Sequence, residues 1–137
     1  NASRSDVTVI VLNWNGLGHL ESCIPALMAQ DIRKERLEVL VADNASTDGS
    51  VEWLKGRHPS VRVMRFPENL GYARAMNAAA EAARGEILAF LNNDTRPEPE
   101  WLSRLVAPLI GGITISFVME LLVYPVIFFL AKRRELR

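Results

Sequence analysis

Three apolar runs in this chain, the first of them β-branched, each end in a cluster of asparagine and aspartate, and no other feature restricts the possible folds as strongly. Val7-Thr-Val-Ile-Val-Leu12 runs into Asn13-Trp-Asn-Gly16. Leu37-Glu-Val-Leu-Val-Ala42 runs into Asp43-Asn-Ala-Ser-Thr-Asp-Gly49, and Glu86-Ile-Leu-Ala-Phe-Leu91 into Asn92-Asn-Asp-Thr95. Short apolar runs bounded by turn residues read as buried strands. A fourth run, Val61-Arg-Val-Met-Arg-Phe66, alternates with period two and reads as a more exposed strand. Helical segments separate them. In residues 18–30, Leu20, Ile24, Leu27 and Met28 recur at helical spacing, with a kink expected at Pro25. Ser46 or Thr47 could cap a helix over 49–55. An alanine-rich helix over 72–84 is stopped by Gly85, and a last one covers 100–106. Strand alternating with helix predicts an α/β fold, a parallel sheet covered on both faces. Ligands of such sheets bind beyond the carboxyl ends of the strands. There the polar residues gather: Asn13, Asn15, Asp43, Asp48, Asn92, Asn93 and Asp94.

The chain has 137 residues, enough for one small domain with a single core. It opens on Asn1 and shows no signal peptide, and is read as a processed or truncated product. Its formal net charge is zero, but residues 109–137 hold four of the 16 basic and two of the 16 acidic residues. The remainder, with 12 basic against 14 acidic, lacks the basic concentration that nucleic-acid binding requires. Cys23, the single cysteine, has no disulfide partner in the chain and reads as a buried thiol acting as a small hydrophobe.

Several strand-end residues have two readings. Asp94, after a buried strand and two asparagines, could hold Mg²⁺ or Mn²⁺ together with substrate phosphates, or Asn92-Asn-Asp-Thr95 could be an Asx turn and helix cap. Asp43 could accept hydrogen bonds from a base or ribose, or serve its own turn. Asp48, before Gly49, reads as a turn or cap residue or else a ligand contact. Arg74, one turn from Gly71, could reach a phosphate or lie solvated. Trp14 could stack on a base or pack at the sheet edge. His19 and His58 stand at no spacing that suggests a metal site or a triad.

Four ordered blocks resemble the family 2 glycosyltransferases of the GT-A fold, and most closely the bacterial enzymes that build polysaccharide or lipopolysaccharide. They are Val9-Ile-Val-Leu-Asn-Trp-Asn-Gly16, Val41-Ala-Asp-Asn-Ala-Ser-Thr-Asp-Gly-Ser50, Glu68-Asn-Leu-Gly-Tyr-Ala-Arg-Ala-Met-Asn77 and Phe90-Leu-Asn-Asn-Asp-Thr95. The resemblance implies a partial GT-A, Rossmann-like parallel sheet over residues 1–108. It also implies a nucleotide-diphosphate sugar donor, a divalent cation (Mg²⁺ or Mn²⁺) and inversion at the anomeric carbon. It places Asp43 at the nucleotide base and Asp94 at the metal. Asn13, Asn15, Asn44, Asp48, Gly71, Arg74, Asn92 and Asn93 complete the expected donor site. The family's Asp-x-Asp-type motif stands here as Asn92-Asn93-Asp94, without its first carboxylate. No acidic residue after Asp94 matches the family's general base, so the catalytic residue is unassigned and the chain is expected to be incomplete and inactive alone.

From Leu109 to Ala131 the chain carries about 23 residues with one charge, Glu120, followed by Lys132-Arg-Arg134. This predicts a C-terminal hydrophobic helix over 109–137 that spans a membrane with a cytoplasmic basic end. The alternative is a buried core helix, which Glu120 and Pro125 favour. Ile110-Gly-Gly112 and Glu120-Leu-Leu-Val-Tyr-Pro125 also resemble the last membrane helix of heavy-metal efflux transporters of the resistance-nodulation-division class. The chain is then expected at a bacterial inner membrane. Its head is cytoplasmic by function, but on the opposite side by the charge rule. An alternative function follows: an efflux-transporter membrane fragment fused to a passenger domain.

Overall fold

The computed structural model describes residues 5–110, 118–120 and 127–132. Four parallel strands form its body: β1 (Val7–Asn13), β2 (Leu37–Asp43), β3 (Arg62–Arg65) and β4 (Ile87–Asn92). The helices are α1 (Leu17–Met28), α2 (Ser50–Arg57), α3 (Tyr72–Ala82) and α4 (Trp101–Ile110). Two further strands, β5 (Val118–Glu120) and β6 (Ile127–Lys132), complete the sheet in the order β3-β2-β1-β4-β6-β5. β1 lies between β2 and β4, in register Asn13↔Asp43 on one side and Leu12↔Asn92 on the other. The carboxyl ends of the three apolar runs therefore lie side by side.

Alternation along the strands splits the core in two. Val7, Val9 and Val11 face Leu20, Ile24 and Leu27 of α1, Leu54 of α2 and Leu102 of α4. Ile10, Leu40 and Ala42 face Ala75, Met76 and Ala79 of α3. Alanines let α3 lie close to the sheet, and the sheet is covered on both faces as expected. β3 is the half-exposed strand that its alternating pattern predicts.

Some local expectations change. α1 runs unbroken through Pro25, which is exposed, so water can serve the carbonyl that the proline leaves without a donor. α2 is capped neither by Ser46 nor by Thr47: Gly49, left-handed at φ 85°, precedes it, and the Ser50 amide donates to Asp48 Oδ1 at 3.0 Å. α3 ends at Ala82 with Ala83 extended, so Gly85 is not its left-handed stop. Gly85 is required by a close approach, because a Cβ there would lie 2.5 Å from the Thr8 amide nitrogen.

The C-terminal expectation is corrected. α4 extends to Ile110 and takes Leu109 into the core. Further on, residues 118–120 and 127–132 are strands, with β6 antiparallel to β4 (Ile87↔Lys132, Ala89↔Leu130). The rest of 109–137 lies outside the described residues. Among the described residues no helix is long and apolar enough to cross a membrane. The efflux-transporter resemblance, the membrane span and the fused-fragment alternative thus find no support. The physical reason is that an apolar run without a clear period reads equally as a helix or as buried strands. Here the free edge of β4 takes up Ile127–Lys132 as a partner.

At the amino end of the sheet a buried carboxylate ties four elements together. Glu38 accepts from Thr8 Oγ1 at 2.6 Å, the Arg84 amide at 2.8 Å and Arg62 Nη1 at 3.0 Å. Thr8 Oγ1 accepts in turn from the Gly85 amide at 2.9 Å. Burial works to raise the Glu38 pKa, but the bonds from Thr8, Arg84 and Arg62 and the Arg62 charge together hold it below its ordinary 4.5. A depressed carboxylate stabilises the fold above the unfolded pKa, and that contribution is lost as pH falls through the folded one. Glu38→Gln is expected to lower stability by about 1–3 kcal/mol at neutral pH. In urea melts across pH, the gap to the parent chain should be constant above about pH 5.5 and shrink below 4.5.

Candidate functional site

At the carboxyl ends of the strands the polar residues form two tiers. The lower tier is buried and its groups are paired with one another. Asn13 Nδ2 donates to Asp43 Oδ1 at 2.9 Å and to Ser46 Oγ at 3.1 Å, while its Oδ1 accepts from Asn93 Nδ2 at 3.1 Å. Asp43 is fully buried, and its second oxygen accepts from the Ser46 amide at 3.0 Å. Asn44 clips the loop before α3: its Oδ1 accepts from the Leu70 amide at 3.2 Å and its Nδ2 donates to the Gly71 carbonyl at 3.3 Å. Among the described residues, every buried side-chain nitrogen or oxygen has a partner.

The loops after β1 and β2 are stitched to each other. The Asn15 amide donates to Ser46 Oγ at 2.8 Å, and Asn15 Oδ1 accepts from the Thr47 amide at 2.8 Å. The Leu17 amide, opening α1, donates to Asp48 Oδ2 at 2.9 Å. Burial works to raise the Asp48 pKa, but bonds from the Ser50 hydroxyl and from the Leu17 and Ser50 amides outweigh it and lower it. Two residues without the freedom of glycine are left-handed here, Asn15 at φ 48° and Ala45 at φ 61°. Asparagine tolerates this conformation; alanine is strained in it. Ala45 is held there by the bonds of Asp43, Asn44 and Ser46 around it.

The upper tier is open. Trp14 is 60 % exposed and Tyr72 56 %, and Asn15, Thr47, Asp48, Gly71, Arg74 and Asp94 are exposed with them. Among the described residues, the side chains of Asp94 and Arg74 find no hydrogen-bond or ion-pair partner. Gly71, at φ 76°, precedes α3, whose N-terminus no side chain caps. The turn that carries Asp94 is clamped from below. Thr95 Oγ1 donates to the Asn92 carbonyl at 2.6 Å, and Cys23 Sγ lies 3.9 Å from that same oxygen. Burial pushes the Cys23 thiol up to about 11, the Thr95 hydroxyl pulls it down, and the Asp94 charge adds to the rise. The thiol is therefore neutral and inert.

All ten sequence-predicted site residues lie at this end of the sheet. Asn13, Asp43 and Asn44 form its buried tier with Asn93, whereas Asn15, Asp48, Gly71, Arg74 and Asp94 stand at the rim. Asn92 contributes its carbonyl to the clamped turn. Sequence reasoning missed Arg65 and the true role of Ser46. Arg65, the last residue of β3, pairs in register with Asp43. Its Nη2 donates to the Ser46 carbonyl at 3.1 Å, and its Nε lies 4.0 Å from Asp43 Oδ2, over which the half-exposed side chain lies. Opposite charges at the ends of neighbouring strands were the available signal.

Among the described residues no three His, Cys, Asp or Glu side chains group to hold a metal. A single free carboxylate still fits a hard cation that takes its remaining ligands from a bound diphosphate.

The strained loop gives a direct test. Ala45→Gly is expected to raise stability by about 1 kcal/mol, and Ala45→Val to lower it by more than that, as read by chemical melts.

A model of the family described as glycosyl transferase family 2 matches residues 8–135. The glycosyltransferase AglE of Haloferax volcanii is 33 % identical over 108 residues, covering 77 % of this chain and 36 % of that protein. The chondroitin synthase of Pasteurella multocida is 31 % identical over 115 residues, 82 % of this chain and 12 % of its own. The chain thus spans about a third or less of the length of these relatives. Among solved structures, TarS of S. aureus in complex with UDP superposes with a TM-score of 0.71 at 23 % identity, over 83 % of this chain and 39 % of that one, and shares its fold. The mannosyltransferase PcManGT from Pyrobaculum calidifontis, in complex with GDP-Man and Mn²⁺, superposes with a TM-score of 0.58 at 35 % identity, over 66 % and 28 %. The expected GT-A arrangement is common to these structures, and the chain belongs to glycosyl transferase family 2.

Proposed function

We propose that this chain carries the donor site of an inverting glycosyltransferase, taking a nucleoside-diphosphate sugar together with Mg²⁺ or Mn²⁺. The observation that carries the reading is Asp94, a carboxylate without a partner among the described residues, held on a clamped turn beside the buried Asn13 and Asp43 and the half-buried Asn93. The PcManGT likeness, whose structure holds GDP-Man and Mn²⁺, supports the same ligand class.

The chain's own residues divide the work. Arg74 and the uncapped N-terminus of α3 present positive charge and free amides to a diphosphate. Gly71 keeps the approach open, since nothing lies within 4 Å of where its Cβ would stand. Asp43, Asn15 and Arg65 serve the nucleoside end. A base that pairs with Asp43 displaces the Arg65 side chain covering it, and Trp14 offers a ring for stacking. Asp94 would hold the cation with the diphosphate oxygens, and the cation when bound neutralises charge on the departing diphosphate. Apart from that displacement of Arg65, the site needs little motion, because the lower tier is already fixed by its own hydrogen bonds.

Calorimetric titration with uridine, guanosine and thymidine diphosphates checks the reading. At least one should bind, and Mg²⁺ or Mn²⁺ should tighten it by about tenfold or more, ~1.4 kcal/mol. Asp94→Ala should abolish the metal effect and leave metal-free binding in place. Equal affinity with and without metal in the parent chain would remove the role given to Asp94.

A further inference from the structure

Asn13 touches both halves of the donor site, and all of its side-chain hydrogen bonds are spent on the protein itself. It is the last residue of the central strand and is fully buried. Its two amide protons go to the β2 side, to Asp43 Oδ1 and Ser46 Oγ, while its amide oxygen takes a proton from Asn93, the neighbour of Asp94. Its backbone carbonyl also accepts from the Asn44 amide at 2.8 Å. Gly16 walls the bridge in: a Cβ there would stand 2.3 Å from Asn93 Nδ2 and 2.7 Å from Asn13 Oδ1. A carboxamide suits this place because it donates twice in one direction and accepts in the other. Aspartate would set a second carboxylate against Asp43, and glutamine is one methylene too long for the space that Gly16 leaves.

We propose that Asn13 is a positioning residue of the donor site, a strut between the loop 43–48 and the turn carrying Asp94 that makes nucleotide and metal binding reinforce each other. This rests on the assignment of Asp43 and Asp94 to the two ends of the donor. A cation shared by Asp94 and a diphosphate strengthens nucleotide binding only when Asp94 stands at the right distance from the groups that anchor the nucleoside. A misplacement of about 1 Å is enough to weaken such an arrangement strongly. The coupling is reciprocal, so the nucleotide tightens the metal by the same factor.

The test is the ratio of dissociation constants for guanosine and uridine diphosphate, each titrated into the full chain without and with Mn²⁺. A parent-chain ratio of one for both nucleotides defeats the donor-site reading itself and the strut with it. Given a parent ratio well above one, Asn13→Ala should lower it about tenfold, the equivalent of one well-made hydrogen bond. Glu38→Gln, which weakens the fold at the opposite end of the sheet, should keep the parent ratio. A similar fall in Glu38→Gln would show that the ratio follows stability and would overturn the strut. Should Asn13→Ala fail to fold, Asn93→Ala cuts the same strut at its half-buried end. The ratio should again fall about tenfold. A parent-like ratio in a folded Asn13→Ala or Asn93→Ala overturns the proposal.

Discussion

At the centre of this sheet the carboxyl ends of β2, β1 and β4 lie abreast, and each ends in a polar side chain that apolar packing cannot serve. The buried carboxamide of Asn13 pairs with these side chains, joining Asp43 at the end of β2 on one side to Asn93 after β4 on the other. The left-handed Ala45, the stitched loops after β1 and β2 and the turn bearing Asp94 are all arranged around it. A polar group buried without partners would be destabilising by a few kcal/mol. Fully paired, the tier instead fixes one geometry and leaves the rim above it free for ligands.

The sheet has a counterpart at its amino end, where Glu38 gathers Thr8, Arg62 and the Arg84 amide. The two polar clusters bracket β1, with the apolar layers between them. The division has a functional logic. Below, the carboxylate meets fixed donors and its role is structural; above, the free carboxylate of Asp94 stands beside a tier that is already satisfied. The same residue chemistry is structural in one place and available in the other because of what surrounds it.

Much of this was legible in the residues. The apolar runs, their turn-forming ends and the helical spacing between them lead to the parallel sheet and to the end of it where the polar residues gather. What sequence could not resolve was depth. Asn13, Asp43 and Asn44 look like Asn15, Asp48 and Asp94 in a list of polar strand-end residues, and only the pairing of neighbouring strands separates the buried tier from the rim. Ser46 read as a cap, although Gly49 in a left-handed conformation makes the turn into α2 and frees Ser46 to join the tier. The tail was misread for a different reason. An apolar run with no clear period carries too little local information, and its partner, the edge of β4, is about 40 residues away in the chain.

That last pairing sets an order on biosynthesis. β1, β2, β3 and β4 can pair with one another as soon as residue 92 has left the ribosome. β4 then waits with one side unpaired until residues 127–132 emerge, which at ~5–20 residues per second is a delay of seconds. During that interval nascent chains on neighbouring ribosomes offer one another the same open strand. The antiparallel closure by β6 therefore protects this edge only after the last strand has been made, however stable the finished fold is.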